Sequence, residues 1–151
     1  MISKKTKYGL HALINLSQNY NKGTILIADL ARQENIPKKF LELILLELKN
    51  QVILESKKGK GGGYQLARHP KEIKLGQVIR ILDGPLAPVS CVSQTAYKRC
   101  KECKDEAGCG IRIIMKDVRD AMANILDETS LEDVVSKSKN YVKEMTVSFQ
   151  I

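Results

Sequence analysis

Residues 27–49, IADLARQENIPKKFLELILLELK, combine two short helical patterns across a turn. In the first pattern, Ile27, Leu30 and Ala31 recur at the spacing of one helical face. Pro37 suits the first position of the next helix, because a backbone N–H there would have no partner in any case. The second pattern has one apolar face, made of Leu41, Ile44, Leu45 and Leu48. Two short helices with the small Ala31 at their crossing predict a helix-turn-helix, and an ordinary helical hairpin is the alternative.

A basic, glycine-rich hairpin is predicted directly after this helix pair. Residues 52–56, VILES, and residues 64–67, YQLA, have the composition of strands, and residues 57–63, KKGKGGG, form the loop between them. A phosphate-binding P-loop is excluded, because no Gly-Lys-Ser or Gly-Lys-Thr follows and the loop leads into a strand. Glycines allow close approach to a DNA backbone and the three lysines neutralise phosphates, so the hairpin is predicted to act as a wing.

The helix that starts near Lys38 is predicted to enter the major groove of DNA. Its solvent-facing residues Lys38, Lys39 and Glu42 reach phosphates and base edges. Lysine donates to guanine, and glutamate accepts from cytosine N4. The charge distribution agrees, since the net charge is +8 overall, with +9 in residues 1–80 and −1 in residues 81–151. A basic module joined to a near-neutral one favours binding to a polyanion.

All four cysteines of the chain fall between residues 91 and 109, with the spacing C-x8-C-x2-C-x5-C. Soft thiolates that converge on one point suit zinc, an iron–sulfur cluster or a redox switch. Buried thiols that pack as small hydrophobes are a poor alternative, because charged residues surround these cysteines. The candidate metal ligands are Cys91, Cys100, Cys103 and Cys109.

Further helical patterns flank these features. Residues 4–20 form an amphipathic pattern, and residues 75–82 form a shorter one that the sequence Asp-Gly-Pro then breaks. Residues 110–126 carry an apolar stripe of Ile111, Ile114, Val118, Ala121, Met122 and Ile125, which must pack against something, and a symmetric partner would serve. One more short turn is predicted around Leu131, Val134 and Val135. In the tail, residues 136–151, the alternation of Val147, Phe149 and Ile151 predicts a stray strand or a disordered end.

Several of these segments together resemble the Rrf2 family of bacterial winged-helix regulators. The resemblance rests on Lys4-x-x-x-Tyr8-Gly9, Ala28-Asp29-Leu30-Ala31, Ile36-Pro37, Phe40-Leu41-Glu42 and Gly59-Lys60-Gly61-Gly62-Gly63-Tyr64, and it runs from residue 1 to about residue 135. It implies a homodimer with one winged helix per subunit and a long C-terminal helix as the interface. In cluster-binding members, a cysteine-rich loop just before that helix holds an iron–sulfur cluster.

The fold class expected is mostly α with a small β-hairpin wing, that is, a winged helix-turn-helix plus a long dimerisation helix. The expected organisation is a DNA-binding domain at 1–83, a sensor loop at 84–109, a dimerisation helix and short turn at 110–135, and a tail at 136–151. The resemblance aligns Glu42 with a base-reading glutamate and Lys58 with a basic wing residue. The expected DNA-binding residues are Lys4, Lys38, Lys39, Phe40, Glu42, Lys57, Lys58, Lys60, Gly61 and Gly62.

The resemblance also bears on the cofactor. Cys91, Cys103 and Cys109 match the family's three-cysteine pattern, whereas Cys100 is additional, and Arg112 stands where one branch has a histidine. Arginine stays protonated and is an improbable iron ligand, so Cys100 or an acidic residue of the partner subunit completes the site. Basic neighbours are expected to lower the thiol pKa values. The expected cofactor is a 2Fe–2S or 4Fe–4S cluster, with zinc or a metal-free thiol switch as alternatives.

The expected function is that of a transcriptional regulator, expected to act as a repressor, whose binding to a double-stranded DNA operator depends on this loop. Catalysis is not expected, because the two histidines, His11 and His69, have no nucleophile at a recognisable spacing. No apolar run approaches the ~18 residues that cross a bilayer, and no cleavable signal is evident, so a cytoplasmic location is expected. The operator, the physiological signal and the cluster type are left open by the sequence.

Overall fold

The computed structural model describes residues 1–149, which form six α-helices and one antiparallel hairpin. The expected class, mostly α with a hairpin wing, is confirmed. The elements are α1 (Lys4–Gln18), α2 (Ile27–Gln33), α3 (Lys38–Asn50), β1 (Leu54–Lys57), β2 (Gly63–Leu66), α4 (Leu75–Asp83), α5 (Gly110–Glu128) and α6 (Leu131–Ser148), with short 3₁₀ turns at Pro70–Glu72 and Ser90–Val92. None of the helices in this described part is long and apolar enough to cross a membrane.

One hydrophobic core joins the helix-turn-helix to its surroundings. The apolar faces predicted for α2 and α3 are buried in it, and Ala31 lies at their crossing with 7% of its surface exposed. Helix α1 contributes Leu13, α4 contributes Val78, and α6 contributes Leu131, each fully buried. The core therefore holds α3 by one face and leaves the opposite face free.

The hairpin begins two residues later than predicted, because Val52 ends helix α3 instead of starting a strand. Val52 has a φ of +56°, and its N–H donates to the carbonyl of Lys49 at 2.9 Å. The N–H of Ile53 donates to Leu48 at 3.0 Å, which completes a helix-ending Schellman motif. Strand β1 then pairs with β2 from Leu54 opposite Leu66 to Lys57 opposite Gly63.

Gly63 ties the wing to the helix-turn-helix. It has a φ of +144°, and a side chain there would place its Cβ 2.3 Å from the carbonyl oxygen of Ile25. The neighbouring Tyr64 exchanges backbone hydrogen bonds with Ile25 at 2.8 and 2.9 Å. The absence of a side chain at position 63 therefore lets the hairpin dock beside the start of α2.

We expect Gly63→Ala to lower the free energy of unfolding by about 2 kcal/mol or more, because it combines an unfavourable φ with a clash against backbone. Gly61→Ala is the matched control, since Gly61 also has a positive φ, +76°, but nothing lies within 4 Å of its Cβ position. The control should cost about 1 kcal/mol. Urea unfolding monitored by circular dichroism measures both, and equal losses would contradict the role given to Gly63.

The C-terminal region corrects two expectations. The short turn around Leu131 is the start of an 18-residue helix, α6, and the predicted strand at Val147 is part of that helix. Ser130 and Asp133 form a reciprocal capping box: the Ser130 hydroxyl accepts from the Asp133 N–H at 3.1 Å, and the Asp133 carboxylate accepts from the Ser130 N–H at 2.8 Å. Gln150 and Ile151, the last part of that predicted strand, lie outside the described residues.

Candidate DNA-binding surface and cysteine loop

Exposed lysines lie on the outer face of α3 and on the wing. Lys38, Lys39 and Glu42 are all exposed on the first two turns of α3, as predicted. Pro37 is the residue before the helix, and its carbonyl accepts from the Leu41 N–H at 3.0 Å, so the first turn is well formed. These side chains point away from the core and are free to reach a DNA groove.

The lysines of the wing are exposed with them. Lys57 closes β1, Lys58 and Lys60 lie in the loop, and Gly61 is exposed at its tip. Gly62 differs, because it is buried within the turn, where a Cβ would lie 2.4 Å from the carbonyl oxygen of Lys57. Its contribution is to shape the loop, whereas the lysine side chains are available to a polyanion.

Two predicted DNA-binding residues lie beside this surface with contacts of their own. Phe40 is half-buried and packs edge-to-face on Tyr8, with 5.6 Å between ring centroids. Lys4 is exposed, and its Nζ lies 5.6 Å from the centroid of the same tyrosine ring. The Tyr8 ring thus places Lys4 on α1 near the start of α3.

The four cysteines line one open cavity of about 650 Å³ between the 3₁₀ turn at Ser90–Val92 and the start of α5. Cys91 lies in that turn and Cys109 caps the N-terminus of α5. The N–H of Cys103 donates to the carbonyl of Cys100 at 3.3 Å. Lys98, Arg99, Lys101 and Arg112 line the same cavity.

The expectation that basic neighbours lower the thiol pKa values is wrong for two of these cysteines. The pKa of Cys100 is raised, chiefly because its Sγ donates to the carboxylate of Glu102 at 3.0 Å. The pKa of Cys103 is raised first by burial and then by the adjacent Cys109, and the opposing effect of Arg99 is smaller. At these two sulfur atoms, a close carboxylate, burial and an adjacent thiol therefore outweigh the basic side chains.

The donor set fits a thiolate-bound metal centre in its chemistry. Four free thiols face one cavity, and four cationic side chains around it offset the charge of a tetrathiolate site. Within residues 1–149, however, no three His, Cys, Asp or Glu side chains are grouped closely enough to hold an ion as they stand. Binding would therefore require the sulfur atoms to draw together within a loop that is largely exposed.

Helix α5 carries the predicted apolar stripe on an exposed face. In the described structure no side chain of α5 is buried, and Ile111, Ile114 and Ile125 are 69, 56 and 66% exposed. Val118 and Met122 complete the stripe at 38% each. The spacing of three and four residues matches the seam of a helix pair.

The opposite face of α5 is held by contacts that the sequence did not reveal. Arg80 on α4 donates to both carboxylate oxygens of Asp127, at 2.6 and 2.9 Å, and this hydrogen bonding lowers the pKa of Asp127. Gly76 leaves room for that carboxylate, since a Cβ there would lie 1.9 Å from it. Arg119 lies on the same side of α5. These residues are too far apart in sequence for periodicity to connect them.

A helix-turn-helix with an exposed basic wing defines a winged-helix DNA-binding protein. The structure is similar to that of CymR, described as the global cysteine regulator of Bacillus subtilis, with a TM-score of 0.76, 32% identity, and coverage of 91% of this chain and 97% of that one. It is also similar to IscR of T. potens, with a TM-score of 0.73, 25% identity, and coverage of 91% and 88%.

The sequence comparisons give the family. The family model Rrf2, described as an iron-dependent transcriptional regulator, matches residues 2–137. A putative rrf2-like HTH-type transcriptional regulator of Rhodobacter capsulatus is 36% identical over 139 residues, which span 90% of this chain and 93% of that protein. The chain belongs to the Rrf2 family of transcriptional regulators, as its motifs predicted, and these matches are to regulators rather than to enzymes.

Proposed function

We propose that this protein is a homodimeric repressor whose binding to a DNA operator is controlled by an iron–sulfur cluster held by Cys91, Cys100, Cys103 and Cys109. The observation that carries the proposal is the shared cavity of the four cysteines, in the segment that joins the basic winged helix to α5 along the chain. A bound cluster would supply sensitivity to oxidants and to iron supply. The cysteines hold it, the cations of the cavity offset its charge, and α5 connects the loop to both halves of the dimer.

The DNA-binding part of the proposal assigns a role to each exposed group. Lys38, Lys39 and Glu42 on α3 reach base edges and phosphates of the major groove, with Lys4 and Phe40 at its edge. Lys57, Lys58 and Lys60 neutralise phosphates beside it, Gly61 lets the tip of the wing approach the backbone, and Gly62 shapes the loop that presents this tip. A dimer through α5 presents two such surfaces to successive half-sites.

A metal-free thiol switch is the second candidate, favoured by the position of Cys103 and Cys109 in one cavity. If their sulfur atoms meet, these two thiols can form a disulfide on exposure to a peroxide, with loss of both thiol protons and reduction of the peroxide to water. The raised pKa of Cys103 opposes this role, because the thiolate is the nucleophile. Zinc bound by the same four sulfurs is the remaining alternative.

Anaerobic purification distinguishes the three candidates. The proposal expects a coloured protein with iron and acid-labile sulfide in equal amounts and about two or four of each per subunit, as 2Fe–2S and 4Fe–4S clusters require. A colourless protein with one zinc per subunit would show that the four cysteines bind zinc instead of a cluster. A colourless, metal-free protein whose operator binding responds to peroxide would favour the thiol switch.

We expect Cys103→Ala and Cys109→Ala each to lose most of the bound iron and to change operator affinity by about 5- to 150-fold, the usual range of coupling between two sites. Gln94→Ala is the matched control, because Gln94 is exposed in the same loop and is not a candidate ligand. Iron analysis and fluorescence anisotropy with a labelled operator measure both effects. Wild-type affinity in both cysteine variants, assayed without oxygen, would refute control by this loop.

A further inference from the structure

Arg119 connects the cysteine loop to α5. Its side chain is only 13% exposed, although α5 has no buried residue within the described structure. One terminal nitrogen, Nη1, donates to the backbone carbonyl of Val92, the residue after Cys91. Nε and Nη2 donate to Oδ1 of Asp120, at 2.9 and 2.6 Å, and so hold the guanidinium plane in place. The guanidinium donors of Arg119 therefore bond to a neighbouring carboxylate, which orients the group, and to one peptide carbonyl.

The segment that Arg119 contacts is closed on itself. The Lys98 N–H donates to the carbonyl of Ser90 at 3.2 Å, and the Ser90 hydroxyl donates to the carbonyl of Lys98 at 3.2 Å. Val92 is 3% exposed and Ser93 is 8% exposed, whereas the next residues are exposed. Residues 90–98 therefore form a small closed loop that carries Cys91 and is held to α5 through the Val92 carbonyl.

The other end of α5 is joined to the winged helix. The bidentate pair of Arg80 with Asp127 connects α5 to α4, and α4 packs closely on α1, where a Cβ at Gly9 would lie 2.5 Å from Leu82. A displacement of residues 90–98 can thus reach the DNA-binding module through α5, provided that the loop and the helix move together.

We propose that Arg119 is a positioning residue that couples the cysteine loop to α5 by holding the Val92 carbonyl. The inference rests on the proposed function for its consequence, since loop movement has an effect on operator binding only if the loop is the sensor. The contact between Arg119 and the Val92 carbonyl is present without a bound cluster. The two can therefore be tested separately.

The first measurement is amide hydrogen exchange on the full-length, cluster-free protein. Arg119→Met keeps an unbranched side chain but removes the guanidinium donors, and we expect amides of residues 90–98 to exchange at least tenfold faster. Lys116→Met is the matched control, because Lys116 is an exposed cation on the same helix. Alkylation of Cys91 followed by mass spectrometry should accelerate in parallel, relative to exposed Cys100. Wild-type exchange and alkylation in a folded Arg119→Met protein would overturn the proposal.

The second measurement is the ratio of operator affinities with and without the bound cluster. We expect this ratio to fall to within about twofold of unity in Arg119→Met while iron content and thermal stability stay near those of Lys116→Met. A full wild-type ratio in Arg119→Met would overturn the coupling role. If the wild-type protein binds the operator equally well with and without the cluster, cluster control is refuted. The hydrogen-exchange experiment alone would then decide whether Arg119 positions the loop.

Discussion

A double variant in which lysine replaces both Ile114 and Ile125 should be monomeric and should bind the operator at least 100-fold more weakly. These side chains are 56 and 66% exposed on the same face of α5, in line with Ile111 and Val118. Burying each isoleucine in a symmetric interface stabilises association by roughly 1.5–3 kcal/mol, and each residue occurs twice in a dimer. A lysine at either position would instead have to lose its hydration without a partner, which adds to the loss.

The loss of DNA affinity follows from the loss of the second winged helix. A dimer that occupies two half-sites gains from effective concentration, and a monomer loses that gain without any change in its own contacts. Analytical ultracentrifugation measures the association state, and fluorescence anisotropy with the same operator measures affinity. The melting temperature of the winged helix should change little, because neither isoleucine contacts the core.

Val147→Lys is the matched control for the double variant. Val147 is 64% exposed, close to the value for Ile125, but it lies near the end of α6. The control protein should stay dimeric and keep its operator affinity. A dimeric Ile114→Lys, Ile125→Lys protein would exclude this face of α5 as the subunit interface.

The helix-turn-helix could be predicted from sequence because its signals are local. Leu41, Ile44, Leu45 and Leu48 recur at the helical period, and they occupy one fully buried face of α3. The end of α3 was missed at Val52, where a β-branched residue adopts a left-handed conformation that normally favours glycine. The β-branched residues Val52 and Ile53 predicted a strand there, but their N–H groups instead form the hydrogen bonds that end the helix.

Helix α6 was underestimated although a local signal was present. Ser130 followed by Asp133 is a capping-box pattern, and it marks the start of the helix in the structure. Beyond Val135, the apolar residues Tyr141, Val142 and Met145 belong to the same helix but are exposed rather than packed on the core, and no helix was predicted from them. The alternation of Val147 and Phe149 was a coincidence of composition.

The cysteine loop shows which parts of a site lie beyond sequence reasoning. The four cysteines line one cavity, since short separations limit how far apart they can lie, and their role as metal ligands stays a prediction. The predicted direction of the pKa shift was wrong for Cys100, which is hydrogen-bonded to Glu102, and for Cys103, where burial and the adjacent Cys109 dominate. The contact of Arg119 with Val92 joins residues 27 apart in sequence and has no signature that a single sequence carries.

Replacing Lys57, Lys58 and Lys60 together with alanine should weaken operator binding about 1,000-fold at low salt. All three side chains are exposed on the wing. Gly59 and Gly61 have no side chain that would hold the loop backbone away from the DNA, and both have a positive φ. Each phosphate contact releases counterions, so the slope of log affinity against log salt should fall by about 0.9 per lysine, or roughly 2.7 per wing. A dimer would lose twice that value.

The slope of log affinity against log salt distinguishes two explanations of weaker binding: loss of direct contacts with phosphates, and loss of net positive charge. Lys137, Lys139 and Lys143 are exposed on α6, and their triple alanine variant removes the same net charge at a distance from the wing. It should retain the wild-type slope and affinity within a few fold, since charges beyond a Debye length are screened at physiological salt. Titrations of labelled operator between 50 and 200 mM salt measure both variants. Equal slopes for the two would mean that the wing attracts DNA only through net charge, and that α3 alone makes the specific contacts.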